Sequence, residues 1–249
     1  MRILTGLCLL LSVVLFTSTF SMAATVDYYA ILEKCDQARG NLAGVTWTVS
    51  VLAKERGETN NRSILVRSRG FDVVAETLKP AQRKGHKLIL VTGNMWFYKP
   101  DLSKPVPVSK RQKLLGLAAN GDIASTNYAK DYNVLSTEEG TLQGRPCYIF
   151  DLEAKTRHAT YQRIKYWVDV SRSVGLRAEF YSSSGEKLLK SAEMEYLNEI
   201  NAADGVSPFI SRMVIKDELM SDNMTTLTFS DPVVEDIPSH IFNLNLLRK

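Results

Sequence analysis

Met95-Trp96-Phe97-Tyr98-Lys99-Pro100-Asp101 opens the stretch, residues 93–132, whose reading decides the fold of this chain. Aromatic residues in succession make a strand, and the Lys-Pro-Asp that follows breaks its ladder, because proline has no N–H to donate. Pro100, Pro105 and Pro107 fall within eight positions. After them come Leu114-Leu115-Gly116-Leu117-Ala118-Ala119 and then Gly121-Asp122-Ile123-Ala124-Ser125-Thr126-Asn127-Tyr128-Ala129-Lys130-Asp131-Tyr132. So long an interruption inside a compact fold is uncommon, and is usually a lid, a binding element or a disordered linker. Its leucines argue against a linker, since disordered segments are poor in apolar residues. The segment therefore reads as a lid. Leu114, Leu115, Leu117, Ile123 and Tyr128 are its inward-pressing candidates, and Asp122 or Ser125 is expected to cap a short helix around Tyr128.

Strands dominate on both sides of this segment. Val45, Trp47, Val49, Val51 and Ala53 alternate with Thr46, Thr48, Ser50 and Leu52, and Ile164, Tyr166, Val168 and Val170 alternate with Arg163, Lys165, Trp167 and Asp169. Further strands are expected near 62–78, 87–92, 94–99, 133–139, 145–153, 175–183, 186–200, 208–219 and 223–230. Gly140, Gly144, Gly175 and Gly185 stand between several of these at hairpin spacing, with Ser184-Gly185 the clearest turn. Ahead of them, residues 26–39 are helical in pattern: Tyr28, Tyr29, Leu32, Cys35 and Ala38 recur at three- and four-residue steps, Asp27 suits the helix dipole, and Gly40 can end the helix.

No strand–helix–strand alternation occurs, so a parallel sheet is not expected. About ten antiparallel strands with one apolar face each form a sheet that must curl or close. Its concave face then needs a cover, or it becomes a cavity. The available covers are the N-terminal helix, residues 111–131 and the tail around Phe242-Asn243-Leu244, all small beside that face. The expected fold class is mainly β, a curved antiparallel sheet with helices over its concave face and an interior left partly unfilled. Trp47, Val49, Val51, Phe97, Phe180 and Met213 are the candidates for the cavity wall, with ordinary core packing as the alternative for each.

The ends and the charges set the compartment and limit the partners. Arg2, the apolar run Ile3 to Phe20 and the small residues of Ser21-Met22-Ala23 read as a cleavable secretory signal over residues 1–23, leaving residues 24–249 as one domain. A membrane anchor would want a basic stop-transfer flank, which is missing, and no second apolar span follows, so the mature chain is expected to be soluble. Without Arg2 the formal charge falls from +4 to +3, too little to imply nucleic acid, and no recognition motif for it is present. Basic residues cluster at 79–87 and 110–113, read either as a solvated hairpin tip and loop or as contacts for anionic lipid or an acidic partner. Cys35 and Cys147 survive cleavage; in an oxidising compartment they are candidates for a disulfide, the alternative being two separately buried thiols.

Catalytic patterns are weak. His86, His158 and His240 have no neighbouring His, Cys or carboxylate at metal-ligand spacing, and no Gly-x-Ser-x-Gly elbow, P-loop or dinucleotide fingerprint appears. Glu138-Glu139 and Glu193/Glu195 read as solvated positions. No catalytic residue, metal or cofactor is assigned, and the chain is not expected to be an enzyme.

Two stretches carry a family resemblance. One is Met95-Trp96-Phe97-Tyr98-Lys99-Pro100, its basic proline-containing loop and the Gly121-to-Tyr132 run. The other is Gly144-Arg145-Pro146-Cys147-Tyr148-Ile149-Phe150-Asp151-Leu152-Glu153-Ala154-Lys155 with Thr160-Tyr161-Gln162-Arg163-Ile164-Lys165-Tyr166-Trp167-Val168-Asp169. Together with the closing Ile237-Pro238-Ser239-His240-Ile241-Phe242 they resemble the LolA-like family of outer-membrane lipoprotein-sorting proteins, from about Val45 to Leu247. Many relatives have an aromatic residue after the Gly-Asp pair, where this chain has Ile123. The resemblance implies an incomplete, half β-barrel plugged by helices, and a periplasmic carrier or chaperone for lipid or lipoprotein acyl chains in a Gram-negative type of envelope, moving cargo toward the outer membrane. It also implies an alternative, since genes for such proteins often accompany resistance-nodulation-division exporters: a non-enzymatic accessory subunit docking an inner-membrane exporter. A monomer is expected in either case.

Overall fold

The computed structural model describes residues 26–124, 127–202 and 205–246; the expected signal over residues 1–23 lies outside them. Helix α1 (Tyr28–Gln37) begins where the Asp27 carboxylate accepts a hydrogen bond from the Ala30 N–H at 3.0 Å. That satisfies one of the donors every helix start leaves open. Leu32 and Cys35, three residues apart, face the core.

Strands β1 (Val45–Glu55), β2 (Glu58–Arg69), β3 (Asp72–Lys79), β4 (Lys87–Val91) and β5 (Asn94–Tyr98) form an antiparallel meander, with the two-residue β6 (Val106–Pro107) against β5. The lid segment then supplies a small ribbon, β7 (Lys113–Leu115) and β8 (Ala118–Ala119), and the short helices α2 (Asn120–Ala124) and α3 (Tyr128–Asp131). A second meander runs through β9 (Tyr132–Leu142), β10 (Arg145–Ala154), β11 (Arg163–Asp169), β12 (Gly175–Tyr181) and β13 (Leu188–Glu195). The hairpin of β14 (Asn198–Ala202) and β15 (Gly205–Phe209) stands apart, and β16 (Arg212–Asp217) and β17 (Met224–Val234) join the two meanders.

The result is one antiparallel sheet of 13 strands in the order β6-β5-β4-β3-β2-β1-β17-β16-β13-β12-β11-β10-β9. β6 and β9 are its edges, so the sheet curls without closing into a barrel. Register shifts at 46/48, 63/64, 151/152, 167/168 and 180/181 interrupt the ladders, and such bulges bend a strand and sharpen its twist. Cross-strand registers join the inward side chains into continuous rows. One runs Trp47–Val66–Ala75–Leu88–Phe97 across five strands. Another runs Ala53–Thr225–Ile215–Ala192–Ala178–Tyr166–Phe150 across seven. Over these rows sit α1 and the lid segment, and together they make the main core. No helix among the described residues is long and apolar enough to cross a membrane.

The structure corrects four expectations. The tail does not cover the concave face: Ile237 and Phe242 pack on Val74, Ile89 and Tyr98, whose side chains alternate with the inward row and point to the opposite face. The spans 62–78, 186–200 and 208–219 are not single strands, because β2 turns into β3 at Gly70-Phe71, β13 gives way to β14, and β15 to β16. The disulfide is not formed. Cys35 and Cys147 are buried free thiols, with Cys35 Sγ donating to the Ser173 carbonyl at 3.2 Å and Cys147 Sγ to that of Arg145 at 3.4 Å. Finally, α3 is capped by Asn127, whose side chain accepts from the Lys130 N–H; Asp122 instead accepts from the Ala119 N–H at 2.8 Å, and Ser125 lies outside the described residues.

Candidate functional site: an apolar cavity beside the lid

Gly116 lets the lid lie on the sheet. Its φ of +58° belongs to the left-handed region that favours glycine, and a Cβ there would collide with Thr225 Oγ1 and Ala53 Cβ. Small residues on β1 and β17 thus form a seat for the backbone of the Leu-Leu-Gly-Leu run. Beyond it the Leu117 N–H donates to Thr225 Oγ1 at 2.8 Å, and Lys190 Nζ donates to the Leu117 carbonyl at 2.7 Å. Gly116→Val is expected to force the lid off this seat at a cost of about 1–3 kcal/mol, as overpacking does elsewhere. Urea unfolding together with faster amide exchange at residues 114–119 would check it; unchanged exchange would show that the lid tolerates the bulk.

Both ends of the lid are tied by polar groups in roles that the sequence reading did not assign to them. At one end the buried Asp122 carboxylate takes the Tyr161 hydroxyl at 2.9 Å as well as the Ala119 N–H, and Tyr161 stacks on Phe180 with ring centroids 3.8 Å apart. Burial pushes the Asp122 carboxyl above the usual carboxylate range, against the nearby Lys190 charge and its two donors. At the other end the buried Asp36 carboxylate, on α1, accepts the Tyr128 and Ala129 N–H groups of α3, both at 2.9 Å. Arg39, also buried, lies over the Tyr128 ring at 5.6 Å, and Tyr128 meets Tyr132 and Tyr166 edge-on at 5.3 and 5.0 Å. Asp36 and Arg39 continue the spacing of the buried Leu32 and Cys35, so the signal the sequence offers is a carboxylate and an arginine on the core-facing side of α1 and its end, with partners some ninety positions away.

The basic run 110–113 is committed to the same task. Lys110 reaches Asp131 at 3.7 Å, Lys113 reaches Glu55 at 2.8 Å, and Arg111 donates to the carbonyls of Ala159 and Arg157. It fastens the lid to its surroundings and is neither a free loop nor an open docking patch.

The wall and lid candidates share one core. Trp47, Val49, Val51, Phe180 and Met213 are buried in it with Leu117, Ile123 and Tyr128, while Phe97, Leu114 and Leu115 are partly buried against it. The space beneath residues 117–128 is therefore packed with side chains. Open space remains at one flank, where a cavity of about 200 Å³ separates the inner face of β2–β5 from residues 108–120. Ile64, Ala75, Leu88, Phe97, Val108 and Leu114 give it apolar surface, and Arg62, Arg83, His86, Lys87 and Lys113 stand around them. Of the wall candidates only Phe97 lines this cavity, and of the lid candidates only Leu114. A larger hollow of about 540 Å³ lies beside Phe71, where Val73 and Leu90 share the lining with Asp72, Thr92, Lys110 and Lys130. Among the described residues no group of three or more His, Cys, Asp or Glu side chains could hold a metal ion.

Solved structures share this architecture. A LolA superfamily protein from Nitrosomonas europaea is 30% identical, with a TM-score of 0.77 over 88% of this chain and 99% of that one. The chain belongs to the LolA superfamily. A family model described as "Uncharacterized protein" matches residues 72–249. A domain from Vibrio parahaemolyticus described as an outer membrane lipoprotein-sorting protein has the same fold at 18% identity, with a TM-score of 0.72 over 89% of this chain and 98% of its own. So does a DUF1329 family protein from Desulfovibrio piger, at 20% identity and a TM-score of 0.71 over 88% and 97%. No match was found among curated proteins.

Proposed function

We propose that this chain is a periplasmic carrier that holds the acyl chain of a lipid or lipidated protein beside its lid and moves it toward the outer membrane. The observation that carries the reading is the cavity between β2–β5 and residues 108–120, with apolar side chains on both the sheet and the lid. At about 200 Å³ it is smaller than the ~300–1,000 Å³ of pockets that enclose drug-sized ligands, so it suits one narrow chain in the closed state. Displacing the lid would open the packed rows of Trp47, Val49, Val51, Phe180 and Met213 to more of the cargo. Each 100 Å² of apolar surface then buried contributes about 2.5 kcal/mol before ordering costs. Membership of the LolA superfamily and the fold shared with a domain described as lipoprotein-sorting support the reading. The signal over residues 1–23 is part of it and supplies the route to the periplasm.

The test is purification from the native envelope followed by lipid extraction and mass spectrometry, with uptake of a fluorescent acyl probe by the stripped protein. Extractable lipid and saturable uptake are expected. Phe97→Asp, which puts a charge on the cavity wall, should weaken uptake about tenfold or more, since burying an unpaired charge is costly. Empty protein together with no uptake would end the carrier reading. The exporter-docking alternative now rests on the exposed Lys79, Arg83 and Lys84 at the β3–β4 connection. Reversing those charges would abolish capture by the exporter if it is right.

A further inference from the structure

Arg62 occupies an inward position of a strand. Along β2 the residues Ser68, Val66 and Ile64 alternate onto the concave face, and Arg62 is the next in that series, paired opposite the buried Val51. A charged side chain there departs from the buried apolar pair Val66 and Ile64 that precedes it on the same face. Its Nε is buried and finds no hydrogen-bond partner among the described residues. Arg83 comes from the turn after β3 and lines the same cavity with His86, Lys87 and Lys113.

The balance of charge is one-sided. Lys87 has Glu76 at 3.6 Å and Lys113 has Glu55 at 2.8 Å, but Arg62 and Arg83 make no ion pair with any described residue. No carboxylate lines the cavity. The two guanidinium groups oppose each other instead, and burial together with the Arg83 charge holds Arg62 below its ordinary basicity. His86, set edge-on to Phe97 at 5.5 Å, is lowered by burial and then by Arg83, Lys99 and Arg62. Like charges gathered over an apolar floor destabilise the empty fold, and a fork of guanidinium donors matches the oxygens of a carboxylate or phosphate.

We propose that the cavity binds a single-chain anionic amphiphile, its tail along Ile64, Leu88, Phe97 and Leu114 and its oxyanion head held by Arg62 and Arg83. The inference rests on the carrier reading and narrows its cargo. The test compares three probes on the delipidated chain by competition with a fluorescent acyl probe and by calorimetry: dodecyl phosphate, the uncharged dodecyl glycerol ether, and inorganic phosphate. Dodecyl phosphate should bind more tightly than the neutral ether. R62Q/R83Q should weaken dodecyl phosphate about tenfold or more, the range expected when charge-assisted hydrogen bonds are lost, and leave the ether unchanged. R83Q alone, on an exposed turn where folding is safe, should give a smaller loss of the same kind, while K79Q/K84Q, with the same change in net charge as R62Q/R83Q, should give none. Equal affinity for the phosphate and the ether, or equal losses in the two double variants, overturns the anionic head but not the carrier. Inorganic phosphate binding as tightly as dodecyl phosphate makes this a free-anion site and overturns the tail. Binding of neither amphiphile overturns the carrier reading itself.

Discussion

Phe180→Ala is expected to lower folding stability by about 3–5 kcal/mol, the range for truncating a buried phenylalanine. That is a large share of the ~5–15 kcal/mol that holds a typical fold together. Phe180 is 1% exposed, and β12 pairs it across from Ile164 and Lys190. Its ring is the platform on which Tyr161 stacks, and Tyr161 in turn donates to the buried Asp122 and accepts from the Tyr132 hydroxyl through its own carbonyl. The Lys190 ammonium lies 5.7 Å from the Tyr161 ring while it holds the Leu117 carbonyl. Truncating Phe180 therefore leaves a void and also frees the tyrosine that anchors the lid. The second effect separates this variant from an ordinary core truncation such as Ile164→Ala. Amide exchange at residues 117–123 should rise more in Phe180→Ala than in Ile164→Ala at matched global stability. Equal exchange in the two would mean that Tyr161 keeps Asp122 without its platform. A urea midpoint close to wild type would mean that the face collapses over the void.

The sheet was legible because burial on one face imposes period two. Val45 through Ala53 and Ile164 through Val168 alternate in the sequence as they do in the fold, and β9–β10 and β12–β13 turn at Gly144 and Gly185 as their spacing foretold. Helix α1 was legible for the equivalent reason at period 3.6, with Leu32 and Cys35 inward. The β2–β3 turn was not. Arg69 pairs directly with Asp72 around Gly70-Phe71, which carries no Asn-Gly or Asp-Gly signal, and the exposed Phe71 looks like a core residue until Lys130 is found 4.6 Å from its ring. The outer packing of the tail did leave a trace in the sequence. Val73-Val74-Ala75 and Leu88-Ile89-Leu90 are apolar without alternation, which marks strands covered on both faces.

The site was legible only by residue type. Aromatic residues, leucines and methionines identify surface that will be buried, but packing decides whether that surface meets a ligand or another side chain. Leu114 and Phe97 face the open space at one flank of the lid, whereas Leu117 and Tyr128, beyond the Gly116 seat, pack into the core. Arg62 shows what a sharper reading would use. In the series Arg62, Ile64, Val66, Ser68 the charged residue falls on the inward parity, and that parity, read together with the basic clusters at 79–87 and 110–113 that supply Arg83, His86, Lys87 and Lys113, marks the cavity.

Wild-type stability is expected to fall as pH rises from about 4 to about 7, through Asp36, with Asp36→Asn removing that part of the slope. Burial pushes the Asp36 carboxyl up to about 7, outweighing the N–H groups of Tyr128 and Ala129 and the charge of Arg39, all of which favour the anion; Asp131 adds to the rise. Its place in the last turn of α1, where the helix dipole repels negative charge, acts in the same direction. The sign follows from where the proton sits. Between the ordinary carboxylate value near 3.8 and about 7, the folded chain holds a proton that the unfolded chain has released, so raising pH favours unfolding by on the order of 1.4 kcal/mol per unit. Below that window both states are protonated, and above it both are ionised. Asp122 is raised as well and adds a slope of the same sign, whereas Asp169, held low chiefly by Ser171 and the Arg172 N–H, adds one of opposite sign at lower pH. The informative quantity is therefore the difference between wild type and Asp36→Asn, measured by urea unfolding from pH 4.5 to 8. The asparagine oxygen can still accept from α3, so the two should be close at the acid end and diverge in favour of the variant as pH rises. A difference that stays flat would mean that Asp36 ionises in the fold as it does in water. The two N–H groups at the start of α3 and the guanidinium of Arg39 would then be enough to replace the water that the carboxylate loses when the lid closes over it.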